Sequence, residues 1–442
     1  MVKITLESLD EREQALHRLV SRYASHELLH LICRTLVKQE APDSARLHGL
    51  LPATNRQLLP FVAAGIADLA MRVSNPHRGR RPTKDEFDRL IQCTQDYLLL
   101  DPVVFDASVS HTFLNSHPIL LILRTAAAQI PFNVNIYARH ARSLLLFQDA
   151  VKLVAGKPGV PPFDFEYEFR RLFGLTLDDL MGVSLVAWSA SNAMPLGFSG
   201  EYFARAKRMG MLLPDEETTL TALDQISADP IHMRDSYQQL RQRDRRFRMY
   251  DFNPILSYPL LRPFKSDRKS LTEGYRLIAP LPDLITYKIT TGLYYELKRA
   301  LKKRFTGWFG HLFEAYIGEL LRQSIPSRTL WSETEIRRHY SAAQGKVPDW
   351  VFLDGSVCIL IECKSTEFYR DIVAECDEEK IKDNLAQTRK GLCQLHAFMQ
   401  AVLNKEPGLE AFHHCSRVLP VLVTFELSLD HISNYRRRIW PR

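Results

Sequence analysis

Apolar residues recur every three to four positions through most of the first ~230 residues, the spacing of helices that bury one stripe. One such run starts at Leu16 and continues to Leu36. Thr83-Lys-Asp-Glu86 sets a hydroxyl and a carboxylate three residues apart, just before Phe87, Leu90, Ile91 and Tyr97. That is a capping box, so a helix is expected to begin there. Further helices are expected at about 136–155, 176–193, 200–212 and 216–248. Gly156-Lys-Pro-Gly-Val-Pro-Pro162 breaks the pattern and is read as a separator between two helical subdomains. Residues 251–290 hold Pro254, Pro259, Pro263, Pro280 and Pro282 but stay apolar, which predicts an ordered connection more than a floppy linker. A helix at about 284–302 follows.

From about residue 304 the pattern mixes periods of 3.6 and 2. Phe305, Trp308, Phe309, Leu312, Phe313, Tyr316, Ile317, Leu320 and Leu321 form an apolar helical stripe. Residues 329–336, 347–353, 357–363 and 417–427 read as strands, with a long helix over about 376–403 between the third and the fourth. Asp354-Gly355 joins the middle two as a hairpin. A helix between two strands lets them run parallel, so the sheet is expected to be mixed. The fold class is therefore multidomain: a mostly helical N-terminal region, then an α/β domain of order αβββαβ. The segments are 1–155, 163–250 with a basic end, a Pro-rich connection with its helix at 251–300, and 301–442.

Composition adds three constraints. The longest apolar runs fall far short of the ~20 residues that span a bilayer, and no signal-peptide pattern opens the chain. Seven cysteines, scattered through apolar contexts, suit reduced core thiols in a cytoplasmic protein with no membrane partner. The net charge of +7 is concentrated, since residues 234–269 carry 10 Lys and Arg against 4 Asp and Glu. Arg241, Arg243, Arg245, Arg246 and Arg248 form a basic cluster suited to phosphate backbones, or else a solvated helix face.

The unusual chemistry lies in the hairpin. Asp349 opens its first strand, and the apolar second strand ends in Glu362-Cys363-Lys364. Strand side chains alternate faces, so a two-residue Asp354-Gly355 loop would set Asp349 opposite Leu360 and on one face with Glu362 and Lys364. Asp349 and Glu362 would then be diagonal neighbours within reach of one cation, with Ile359, Ile361 and Cys363 turned into the core. Hard oxygen ligands of this kind hold Mg²⁺ or Mn²⁺, and the Cys363 carbonyl could add another. Lys364 could orient or deprotonate a water and stabilise negative charge. Such a set suits hydrolysis of phosphodiester bonds.

Pro348-Asp349, then Glu362-Cys363-Lys364 after twelve residues, within an αβββαβ order, resembles the PD-(D/E)xK nuclease superfamily, the restriction-endonuclease-like fold. The resemblance covers roughly residues 300–430. It implies a Mg²⁺-dependent endonuclease, with Asp349, Glu362 and Lys364 catalytic, DNA as the expected substrate and RNA as the alternative. It further implies an acid from the first helix, for which Glu314 in Gly310-His-Leu-Phe-Glu314 matches. Supporting polar residues on the second helix would be Gln387, Lys390 and Gln394. Gln394-Leu-His-Ala-Phe398 resembles the Gln-x-x-x-Tyr motif of some exonuclease-related members, with Phe in place of Tyr. By analogy such architectures serve restriction or phage defence, the helical region recognising DNA, sensing a trigger, binding a regulatory partner or forming a homo-oligomer. The alternative is an inactive nuclease fold used for nucleic-acid binding or assembly. His26, His30 and Cys33 share a helix face but lack a fourth ligand nearby, which favours packing over a metal site. No nucleotide-binding loop or nucleophile elbow occurs.

Overall fold

The computed structural model describes residues 6–40, 56–99, 136–240, 253–264, 271, 276–365 and 378–425. It is mostly helical, with a mixed four-stranded sheet in the C-terminal region. Two compact units divide the chain: 1–140 with 164–296, and 141–163 with 297–442. The sequence segments 1–155 and 163–250 do not follow this division.

In the first unit, helices Leu6–Val20, Ser25–Glu40, Pro60–Val73 and Lys84–Leu99 share a core that includes Leu28, Ile32, Val62, Ile66, Phe87 and Leu90. The expected continuous run from Leu16 to Leu36 is broken after Val20. Backbone bonds explain the break: Ala24 N–H donates to the Arg80 carbonyl (3.1 Å), and Arg80 N–H donates to that of Arg22 (3.3 Å). Residues 62–71 of helix Pro60–Val73 are all buried, so this helix lies inside the core. The capping box forms as read: Thr83 N–H donates to Glu86 Oε2 (2.9 Å) and Glu86 N–H to Thr83 Oγ1 (3.3 Å). The helix expected over 216–248 divides into Glu216–Ile226 and Pro230–Leu240. Ser227–Ala228 between them pairs in parallel with Leu260–Leu261, so the Pro-rich connection is wrapped into this core.

In the second unit, the helix Leu293–Ser324 is interrupted at Lys302, where φ is 51°. Its predicted stripe is buried from Phe305 through Tyr316, while Ile317, Leu320 and Leu321 are only half-buried. Phe163 stacks on Trp308 (centroids 4.5 Å apart), and Phe147 and Phe425 pack on Phe309. That aromatic packing draws 141–163 into this unit, so the Gly-Pro stretch 156–162 does not separate two helical subdomains.

The sheet contains β1 (Leu330–Ser332), β2 (Trp350–Asp354), β3 (Val357–Lys364) and β4 (Arg417–Thr424), in that spatial order. β1–β2 and β2–β3 are antiparallel and β3–β4 parallel, as the intervening helix Glu378–Leu403 requires. β1 is shorter than expected because Ser332 and Glu335 cap a helix, Glu333–Arg337, inside the predicted strand. Two more expectations are corrected. The hairpin loop is Gly355-Ser356, with Asp354 paired to Val357, so the register lies two residues from the Asp354-Gly355 reading. Positive φ at Gly355 alone (58°) matches a type II′ loop. The better-buried face of β3 is that of Cys358, Leu360 and Glu362, which packs on Leu395 and Phe398 of Glu378–Leu403. On the other face Ile359 is only half-buried and Leu419 and Val421 of β4 are exposed. No single helix among the described residues is long and apolar enough to cross a membrane. Cys33, Cys93, Cys358, Cys363, Cys393 and Cys415 are free thiols.

Candidate functional site

A slip of two residues preserves the parity of a strand. The face assignment of Asp349, Glu362 and Lys364 therefore survives, while their separation changes. With Trp350 paired to Ile361, the next position back sets Asp349 directly opposite Glu362, where a diagonal relation had been expected. Asp349 is locked there: its Oδ2 accepts from the Cys363 N–H (2.6 Å), and its carbonyl accepts from the Glu333 N–H (2.9 Å). Burial raises the Asp349 pKa above the usual carboxylate value, against the pull of the Cys363 N–H and of Lys364.

Glu362 is 1% exposed. It forms an ion pair with Lys364 Nζ, and its Oε2 accepts from Gln394 Nε2 (2.8 Å). The same amide donates to the Val347 carbonyl (2.6 Å), so Gln394 ties the carboxylate to the loop that enters β2. Burial first, then the Asp349 charge, pushes the Glu362 pKa up to about 7. The Cys363 thiol is likewise pushed up by burial, then by Asp349. It remains a neutral thiol, not a nucleophilic thiolate.

Glu314 is brought in from the helix by a close approach that needs glycine. A Cβ at Gly318 would come 2.1 Å from Trp350 Cζ2, and one at Gly310 would lie 3.7 Å from Ser365 Oγ. Glu314 stands midway between these two positions on the same helix face. It therefore faces the sheet between the residue after Asp349 and the residue after Lys364. Burial, then Asp349, Glu333 and Glu362, push its pKa up to about 7, with Lys157 alone acting the other way. Three carboxylates are thus held in one poorly hydrated place, and Lys364 is ion-paired to one of them, Glu362.

Of the supporting residues, Gln394 joins the site. Gln387 and Lys390, earlier on the same helix, are exposed and make no hydrogen bond or ion pair to a described residue. Arg241, Arg243, Arg245, Arg246 and Arg248 lie outside the described residues. Sequence reasoning missed Gly391. A Cβ there would meet Leu422 Cδ1 at 3.0 Å and both Glu362 Cγ and Lys364 Cε at 3.3 Å, so the glycine lets the helix lie against the ion pair. An isolated glycine inside a helical pattern is the signal that could have found it. Glu333 was hidden inside a predicted strand; the Ser332-to-Glu335 capping spacing was its signal.

Among the described residues, no group of three or more His, Cys, Asp or Glu side chains is arranged to hold a metal ion. Asp349 and Glu362 are turned to protein partners instead. The donor set nevertheless fits a hard divalent cation. It consists of carboxylate oxygens whose burial, and after it their mutual repulsion, raises their pKa values, and a cation would favour the charged forms. No family model, no curated protein and no solved structure matches this chain.

Proposed function

We propose that the C-terminal unit is a metal-dependent nuclease of the PD-(D/E)xK type with a restriction-endonuclease-like fold. The observation that carries the reading is the convergence of Glu314, Asp349, Glu362 and Lys364 from one helix and two adjacent strands, with both glutamate pKa values raised to about 7. A chance Glu-x-Lys match would bring neither a second buried carboxylate opposite nor a third from a helix.

Mg²⁺ or Mn²⁺ would be held by Asp349, Glu362 and the Cys363 carbonyl, with Glu314 adding negative charge. Bound there, it supplies Lewis-acid polarisation of a phosphate and a more acidic water. The chain's own groups do the rest. The Cys363 N–H orients Asp349, and Gln394 orients Glu362, so both carboxylates are set before substrate arrives. The Lys364 ammonium, 20% exposed, can reach an attacking water or a phosphate oxygen on which charge develops. DNA is the proposed substrate, cut internally, in restriction or phage defence.

The bonds that satisfy Glu362 within the protein would also suit an inactive scaffold, the second reading. Incubation with plasmid, linear and single-stranded DNA and with RNA, with and without Mg²⁺ or Mn²⁺, separates the two. Cleavage that needs metal and is lost in Asp349→Ala and Lys364→Ala supports the nuclease. Cleavage that persists in both variants removes the assignment. No cleavage of any substrate by the unaltered chain favours the scaffold.

A further inference from the structure

The His26 and His30 face of helix Ser25–Glu40, set aside above as a metal site, carries a different chemistry. Arg34 continues it one turn further, and the loop 75–81 lies beside its start. That loop is pinned. A Cβ at Gly79 would meet Ala24 N at 2.1 Å, and the Asn75 side chain accepts from the His77 N–H (2.8 Å). The His26 ring lies 6.0 Å from that of His30 and 5.2 Å from that of Phe264, and Phe264 in turn lies 5.4 Å from His77. Arg276 stands close enough to lower the His30 pKa, after burial, and Arg81 does the same to Arg34.

Cations therefore crowd here with little to balance them. Glu27 serves both His26 (3.6 Å) and Arg81 (3.5 Å), while Glu86 is taken by Arg80. His26 Nδ1, His30 Nε2 and Arg34 Nε are shielded from water and have no hydrogen-bond partner, and the wholly buried Ser25 has none for its Oγ. A polar atom buried without a partner is costly, so folded proteins keep few of them without a reason. His30 bonds the Leu196 backbone through its ring, and an anion brought between Arg34, Arg81 and Arg276 would answer their charge and the open Arg34 Nε–H. A ring beside two histidines adds a flat apolar surface for a base.

We propose that this face of the first unit, built from His26, His30, Arg34, Arg81 and Arg276 with Phe264 at its edge, binds the backbone phosphates of a nucleic-acid strand. The proposal does not depend on cleavage. The test uses the full chain in a metal chelator, with fluorescein-labelled single-stranded DNA, duplex DNA and RNA read by anisotropy. Arg81→Glu with Arg276→Glu alters two exposed cations of the face. Arg205→Glu with Arg208→Glu alters two exposed cations on helix Glu201–Arg208 of the same unit. The first pair is expected to raise Kd about tenfold or more and to flatten the slope of log Kd against log salt by about 1.5, as loss of two phosphate contacts requires. The second pair is expected to do neither. The idea fails if the unaltered chain binds none of the three probes at low salt, or if both double variants lose equal affinity. It fails too if inorganic phosphate displaces the labelled strand as well as an equal phosphate concentration of unlabelled strand does, which would mark a small-anion site.

Discussion

Replacing Glu314 with glutamine is expected to stabilise the metal-free protein at neutral and alkaline pH, although it removes a group proposed to act in cleavage. The carboxyl pKa rises from 4.5 to about 7 on folding, chiefly through burial and then through Asp349. A carboxyl with a folded pKa above its unfolded one holds its proton more tightly in the native state. Stability is therefore fullest below pH 4.5 and is lost as pH rises through the window from 4.5 to about 7. At about 1.4 kcal/mol per pH unit, the charged form carries roughly 3 kcal/mol of penalty above that window, and solvent screening at a partly exposed site reduces this to about 1–2 kcal/mol. Glutamine has nearly the same shape and never charges. Glu314 makes no hydrogen bond to a described residue that the substitution would break. Urea unfolding in a chelator, at about pH 5 and about pH 8, measures the effect. The Gln variant should be the more stable at the higher pH, and the gap should close at the lower. A variant that is equally or less stable at high pH, or a gap independent of pH, would refute the claim that burial and the neighbouring carboxylates oppose ionisation of Glu314. Added Mg²⁺ should then stabilise the unaltered chain more than the variant.

Two further substitutions probe the support of the site. Gln394→Ala leaves the Val347 carbonyl and Glu362 Oε2 without their shared donor, at a cost of about 1–3 kcal/mol in unfolding free energy, together with weaker cleavage. An unfolding curve that matches the unaltered chain would show that the clamp carries no energy. Gly391→Ala gains up to about 1 kcal/mol of helix propensity while it crowds Glu362 and Lys364, so cleavage should fall with little change in thermal midpoint. Full cleavage by that variant would mean that the ion pair can move without consequence.

Much of the site was legible in the sequence because strand parity is a local property. A period of two places Asp349, Glu362 and Lys364 on one face under either register, so the two-residue error in the loop left the grouping intact. The aromatic stripe from Phe305 to Phe313 and the Thr83 capping box were equally local and formed as read. The Gln387, Lys390 and Gln394 ridge was not resolvable in that way. All three have helical spacing, but only the position level with Val347 and Glu362 meets a partner.

The sequence by itself thus determined the amphipathic stripe, the mixed sheet and which strand side chains share a face, since these follow from backbone geometry over a few residues. Tertiary structure alone decided three other matters. The register set Asp349 directly across from Glu362. Gly318 and Gly391 set how closely two helices approach the strands. The three acids were withdrawn from water together, raising both glutamates to about 7. A pKa depends on every charge and every displaced water within several ångströms, and those arrive from helix, loop and strand segments remote along the chain.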